Sequence, residues 1–240
     1  INSNQYILEK LIGKALLDAA MWTNKKCTPW KPQEPDYVAM LSTKFVKDFF
    51  NVLVAVFPHY DFSIVGVYCH QKPIVDIKEA KKPELGDILF VYADRKRKGE
   101  MVLNSLLLQA KISNNPRLHV HQSERHQLKL YKNWPQFTYC RAGNLNGKMR
   151  NIFPKTINDG AQYLLIADNS LANGFFAGNR MFPMGCAIPD DILYINDSLS
   201  SELINLLKFK SGRTFDSDLY STEDGWSKIC LLYTSPSPRD

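Results

Sequence analysis

The chain reads as an α/β protein, with a helix, three strands, a second helix and two further strands in that order. Three observations carry this. Two short apolar runs, 84–92 and 106–111, are bounded by turn signals and joined by a charged linker, as in a buried hairpin. Stretches with apolar residues every three or four positions flank them, as amphipathic helices require. Hydrophobic residues make up 45% of the 240-residue chain, enough to fill a core.

Taken in order, residues 4–22 place Tyr6, Ile7, Leu11, Ala15, Leu16 and Ala19 on one stripe and predict a helix. Residues 23–35 are a Pro-rich connection. Pro35 and Asp36 suit the first turn of a long helix over 36–57, whose stripe is Val38, Leu41, Phe45, Phe49, Val52 and Val56; Pro58 ends it. Residues 62–69 predict a strand, with 74–77 extending it or pairing with it. The hairpin follows, its tip formed by Arg95, Lys96, Arg97, Lys98 and Gly99. Asn114, Asn115 and Pro116 break the chain. Ser123 is the N-cap of a helix through Lys132, which Pro135 closes. Residues 137–141 and 163–167 predict strands, with a loop over 142–150. Residues 169–190, rich in Gly, Asn and Pro, predict a long irregular segment, and 200–209 a last helix.

The formal net charge of +6 favours a polyanionic partner, nucleic acid before membrane, and no apolar run is long enough for a transmembrane helix. Cys27, Cys69, Cys140 and Cys186 are widely spaced, which suits a reduced, cytoplasmic protein. The N-terminus lacks Met and does not look like a signal peptide, which suggests a fragment of a longer protein. Residues 230–240, beginning at Cys230, resemble a translated sequencing adaptor and are set aside. The expected division is an N-terminal helix and linker (1–35), a core domain (36–210), a truncated C-terminal extension (211–229) and that tail.

Polar residues interrupt the apolar runs at Asp87, Gln109 and Lys111. Strand side chains alternate between faces, so Gln109 and Lys111 share a face that Ala110 does not. A register that brings Asp87 to that face would gather a carboxylate, an amide and an ammonium. On the following helix Gln127 and Tyr131 are one turn apart and also share a face.

This order, with Gln109-Ala110-Lys111 as a Q-x-K and Gln127-Leu-Lys-Leu-Tyr131 as a Q-x-x-x-Y, resembles the PD-(D/E)XK nuclease superfamily. The Q-x-K is similar to that of Mrr-type restriction enzymes and the Q-x-x-x-Y to that of RecB-type nucleases. The resemblance covers residues 84–131. It implies a restriction-endonuclease-like αβββαβ core, a central mixed β-sheet flanked by helices. It further implies a metal-dependent DNA endonuclease, as in bacterial restriction or phage defence. Mg²⁺ or Mn²⁺ would be held by Asp87, the Gln109 amide oxygen and the Ala110 backbone carbonyl, with Lys111 beside the attacking water or the phosphate. Gln127 and Tyr131 would flank the site. Gln in place of an acid removes one negative charge, for which Glu84, at the strand entrance, is a substitute. The superfamily often takes a further acid from the preceding helix, where the sequence offers Asp36 and Asp48, with Glu34 just before it. The resemblance leaves room for a homodimer or for a partner domain lost by truncation.

Plainer readings stand beside these. Arg95, Lys96, Arg97 and Lys98 suit a solvated hairpin tip as well as one that straddles a DNA backbone. His119, His121 and His126 lack Cys or acid partners at zinc-like offsets. No G-x-S-x-G, P-loop or G-x-G-x-x-G is present. The same fold without catalysis, as a nucleic-acid-binding or assembly module, is the alternative to the enzyme.

Overall fold

The computed structural model describes residues 4–68, 72–95, 101–155, 160–168, 174–177, 180–218 and 224–234. It is a mixed α/β architecture: a central mixed sheet with helices on both faces.

Helix α1 (Gln5–Cys27) opens the chain and buries Leu8, Ile12, Leu16 and Ala19. Helix α2 (Glu34–Met40) continues without a break through a π-helical segment (Leu41–Phe45) into α3 (Val46–Val56). Its start is set by a capping box in which Gln33 and Asp36 satisfy each other's backbone N–H groups. At the π segment the hydroxyls of Ser42 and Thr43 donate to the carbonyls of Val38 and Ala39, competing with the regular ladder.

Two strands then diverge from expectation. Residues 62–67 form no ladder, and only Tyr68 bridges to Ile88. Strand β1 (Ile74–Asp76) does not pair with that stretch. It belongs to a separate small sheet, antiparallel to β5 (Phe137–Arg141), which pairs in turn with β6 (Met149–Arg150). The reason is burial: Val75 packs into the cluster that holds Phe137, Tyr139 and Trp134.

The hairpin forms as β2 (Ile88–Arg95) and β3 (Met101–Ser113), with Ile88 opposite Leu108. Strand β3 alternates between two cores. Leu106, Leu108 and Ala110 face α1, α2 and α3; Leu107 faces the other cluster. After β4 (Arg117–His119) and a 3₁₀ turn (Gln122–Glu124) comes α4 (Arg125–Asn133), over the second face. Strand β7 (Ala161–Ala167), buried throughout, then returns parallel to β3.

The segment 169–190 is not irregular as expected. It carries β8 (Phe175–Ala177) and β9 (Arg180–Phe182), a two-stranded ribbon, and β10 (Met184–Ala187), antiparallel to β7. Strand β11 (Ile192–Ser198) pairs β10 and, on its other edge, β4. The short, glycine-containing Met184-Gly-Cys-Ala187 lacks β-branched residues; complete burial makes it a strand.

Helix α5 (Leu199–Leu207) is capped by the Ser198 hydroxyl and packs on α1. The C-terminal segment is integral to the fold. Strand β12 (Arg213–Phe215) pairs β3, and α6 (Gly225–Thr234) buries Trp226, Ile229 and Cys230. Cys230, set aside with the tail, lies 3.1 Å from the Ser105 hydroxyl; residues 235–240 lie outside the described residues. Likewise α1, expected outside the core domain, shares one hydrophobic cluster with β3 and α5.

Among the described residues no helix is long and apolar enough to cross a membrane.

One buried carboxylate on the first face yields a stability prediction. Glu202 is 4% exposed and accepts a hydrogen bond from Gln162 Nε2 at 2.7 Å. Burial raises its pKa, outweighing hydrogen bonds from Ser211 and Gln162. The native state therefore holds this proton at pH values where the unfolded chain has released it. Stability is lost as pH rises from the ordinary glutamate value of 4.5 through the raised one. Glu202→Gln is expected to raise the melting temperature at pH 8 and to have no such benefit below about pH 4, in thermal melts across that range.

Candidate active site

The hairpin sets the geometry of the site. The Asp87 N–H donates to the Leu108 carbonyl at 2.9 Å, locking the chain just before β2 onto β3. Gly86 makes this approach possible: a Cβ there would lie 2.6 Å from Leu107 Cδ1 and 2.8 Å from the Tyr131 hydroxyl. Asp87 turns inward and is 2% exposed. Its Oδ2 accepts from Gln109 Nε2 at 2.5 Å and from the Ala110 N–H at 2.7 Å. The amide of Gln109 thus offers its nitrogen to Asp87, and its Oε1 faces elsewhere. The Asp87 and Gln109 side chains meet across neighbouring strands, on the face that also carries Lys111.

Lys111 sits where this face opens to solvent. Its Nζ donates to Glu124 Oε1 at 2.6 Å and lies 3.7 Å from Glu34 Oε2. Glu34 also accepts from the backbone N–H of Ile112, so the first turn of α2 is tied to the end of β3. Side-chain exposure is 17% for Lys111, against 33% for Glu34 and 35% for Glu124. The cluster is therefore closed at Asp87 and accessible at Lys111. Burial is the largest influence on the Lys111 ammonium and lowers its pKa. Glu34, then the hydrogen bond and charge of Glu124, then Asp87 act the other way, and the pKa ends above the ordinary lysine value.

Gln127 and Tyr131 are both buried beneath α4 against the sheet. The Tyr131 hydroxyl donates to the Leu85 carbonyl at 3.0 Å, and its ring packs on Trp134 and on Tyr163 of β7. Tyr131 thereby fixes the segment that leads into Asp87. Glu84, half-buried, bridges to Ile74 through its backbone at the strand entrance. His126 is half-buried, and burial followed by the Lys81 charge lowers its pKa. His121 accepts from the Ser123 N–H at the start of the 3₁₀ turn.

Arg95 pairs with Met101 at the far end of the hairpin, while Lys96, Arg97 and Lys98 lie outside the described residues. Eight residues of strand put Arg95 roughly 25 Å from Asp87.

Three residues near the site escaped the sequence reading, and a fourth, Glu34, was placed just before the second helix and not in it. Glu34 belongs to α2, because the Gln33–Asp36 capping box starts that helix earlier than expected. That box was the available signal. Glu124 closes the 3₁₀ turn and carries no signal in the sequence beyond its charge. Tyr163 lies beside Gln109 on β7. Tyr68 bridges to Ile88, the residue after Asp87, and burial first and then the Asp87, Asp36 and Glu84 charges raise the pKa of its phenol.

Among the described residues no group of three or more His, Cys, Asp or Glu side chains is arranged to hold a metal ion. The donor set is nonetheless of one kind, the Glu34 and Glu124 carboxylate oxygens around the Lys111 ammonium with the Asp87 carboxylate on the same face. Mg²⁺ keeps several of its waters and is commonly bound through one or two carboxylates, so this chemistry suits a hard cation. Comparison with protein-family models, with curated proteins and with solved structures finds no match to this chain.

Proposed function

We propose that the chain is a metal-dependent endonuclease of the PD-(D/E)XK type, hydrolysing DNA phosphodiester bonds. One observation carries the reading: Asp87, Gln109 and Lys111, from two paired strands, share one face, with Glu34 and Glu124 completing an acidic ring around the lysine. The β2–β3 hairpin, the helix α4 and the parallel return of β7 support the restriction-endonuclease-like assignment. A net charge of +6 supports a polyanionic substrate.

Asp87 and Glu34 would be the carboxylates to hold Mg²⁺ or Mn²⁺, with the Ala110 carbonyl as a neutral ligand. The bound ion supplies a more acidic water and a Lewis acid for the phosphoryl oxygens. The chain's own residues do the rest. Lys111 stays protonated at neutral pH, so it acts as a fixed positive charge toward the phosphate and not as a base. Glu124 holds that ammonium in place until a phosphate oxygen competes for it. Gln109 and the Ala110 N–H orient the Asp87 carboxylate. Tyr131 anchors the strand entrance.

A nicking assay on supercoiled plasmid with Mg²⁺ or Mn²⁺ tests this. The wild type is expected to cut, and Asp87→Asn to be inactive while remaining folded. Absence of cleavage with either metal, combined with salt-sensitive DNA binding, would instead select the non-catalytic binding module. That reading draws on Gln109 standing where an acid is usual and on Lys111 being engaged by Glu124.

A further inference from the structure

Strands β3 and β7 run parallel with Gln109 beside Tyr163, so both side chains lie on the face that α4 covers. Gln109 Oε1, Gln127 Nε2 and Tyr163 Oη are buried there and have no hydrogen-bond partner among the described residues. The residues are 6%, 6% and 1% exposed. They are also neighbours. The Tyr163 ring packs against Tyr131 with centroids 5.7 Å apart, and Gln127 lies one turn before Tyr131 on α4. Buried polar groups are almost always satisfied, so several orphans on one face need an account.

Their chemistry is complementary. Tyr163 and Gln127 bring donors, and Gln109 brings an acceptor. The phenol stays protonated, since burial raises its pKa strongly. A buried water typically makes about three hydrogen bonds, and here it would accept from Tyr163 and Gln127 and donate to Gln109.

We propose that these three groups form a buried site for one ordered water, through which Tyr163 and Gln127 lock the Gln109 amide with its nitrogen toward Asp87. Tyr163 and Gln127 are then positioning residues, acting on Asp87 through Gln109. Gln109 serves the carboxylate and not the cation, which departs from the ligand role that the sequence resemblance implies. The consequence for catalysis rests on the nuclease reading; the water site itself does not.

The test has two arms. The first is a double-mutant cycle on thermal stability in metal-free protein, with Tyr163→Phe, Gln109→Leu and the double variant. Tyr163→Phe is expected to lower the melting temperature by about 2–4 °C, as loss of one buried hydrogen bond does in a chain of this size. In the Gln109→Leu background that loss should shrink toward zero, because the two groups share one network. Gln127→Leu gives a second background with the same expectation if Gln109→Leu does not fold. An unchanged or raised melting temperature for Tyr163→Phe, or an equal loss in every background, overturns the site. The second arm is plasmid cleavage. Tyr163→Phe should lower kcat about 10–100-fold at unchanged KM for DNA, the size seen when a ligand's orienting partner is removed. If the wild type cuts and Tyr163→Phe keeps its kcat, the positioning role falls and the nuclease reading stands. If the wild type cuts no DNA, the nuclease reading falls and the melting cycle still decides the water site.

Discussion

Lys111→Ala is expected to lower DNA cleavage about 10²–10³-fold, the usual cost of removing one preorganised group that meets developing negative charge. The next ammonium among the described residues, Lys81, is held by the Ser123 carbonyl at 3.3 Å and makes no ion pair with Glu34 or Glu124. The close neighbours of Lys111 are the carboxylates of Glu34 and Glu124, and both repel a phosphate once the ammonium is gone. Lys111→Arg should restore little, because the bulkier planar guanidinium would pair bidentately with Glu34 or Glu124 and would not present a compact point charge to the phosphate. The pH dependence has a definite sign. The folded pKa of Lys111 is raised above the ordinary 10.5, so its contribution to stability is complete below that value. It is lost only as pH rises through the folded pKa, and at neutral pH the lysine never limits the rate. Initial rates for wild type and variant between pH 6 and 9 check this: the ratio should stay constant across the range.

Trp226→Ala is expected to cost about 3–5 kcal/mol, the range for truncating a fully buried tryptophan, and to lower the melting temperature by roughly 10 °C. Trp226 is 0% exposed and meets Trp134 edge-on, with centroids 5.6 Å apart. Its indole N–H donates to the Ser105 hydroxyl at 3.0 Å, and the Arg213 guanidinium lies 5.7 Å from its ring. Gly160, at the head of β7 with φ of +86°, lies so close that an added Cβ would sit 2.4 Å from the indole. The side chain therefore joins α6, β12, β3 and β7 at one point. Differential scanning calorimetry of the variant measures the loss, and a shift under about 2 °C would mean that α6 contributes little to the fold.

The hairpin and the Asp87–Gln109–Lys111 group were legible because few polar residues interrupt strongly apolar strands. Strand alternation alone predicted that Gln109 and Lys111 share a face, and the register then brought Asp87 to Gln109. Of the residues that meet Lys111, Glu34 was noted only as an acid just before the second helix, and Glu124 was not legible. Glu34 and Glu124 stand 77 and 13 positions away in sequence, and only tertiary packing delivers them. Strand β10 was hidden for a different reason. Its four buried residues have no period and include a glycine, so burial, not propensity, makes it a strand. The short β12 is three residues whose pairing depends wholly on the neighbouring β3.

The charge count around Lys111 has a consequence for how the protein meets its target. Asp87, Glu34 and Glu124 act together on the Lys111 ammonium, three carboxylates to one cation, with Lys81 the next positive charge, 3.3 Å from the Ser123 carbonyl. A polynucleotide drawn in by the basic remainder of the surface would be repelled at the very spot where it must react. On the nuclease reading proposed above, a divalent counter-ion would remove that local barrier, and the concentration of free magnesium would gate productive docking before it influenced any bond-breaking event.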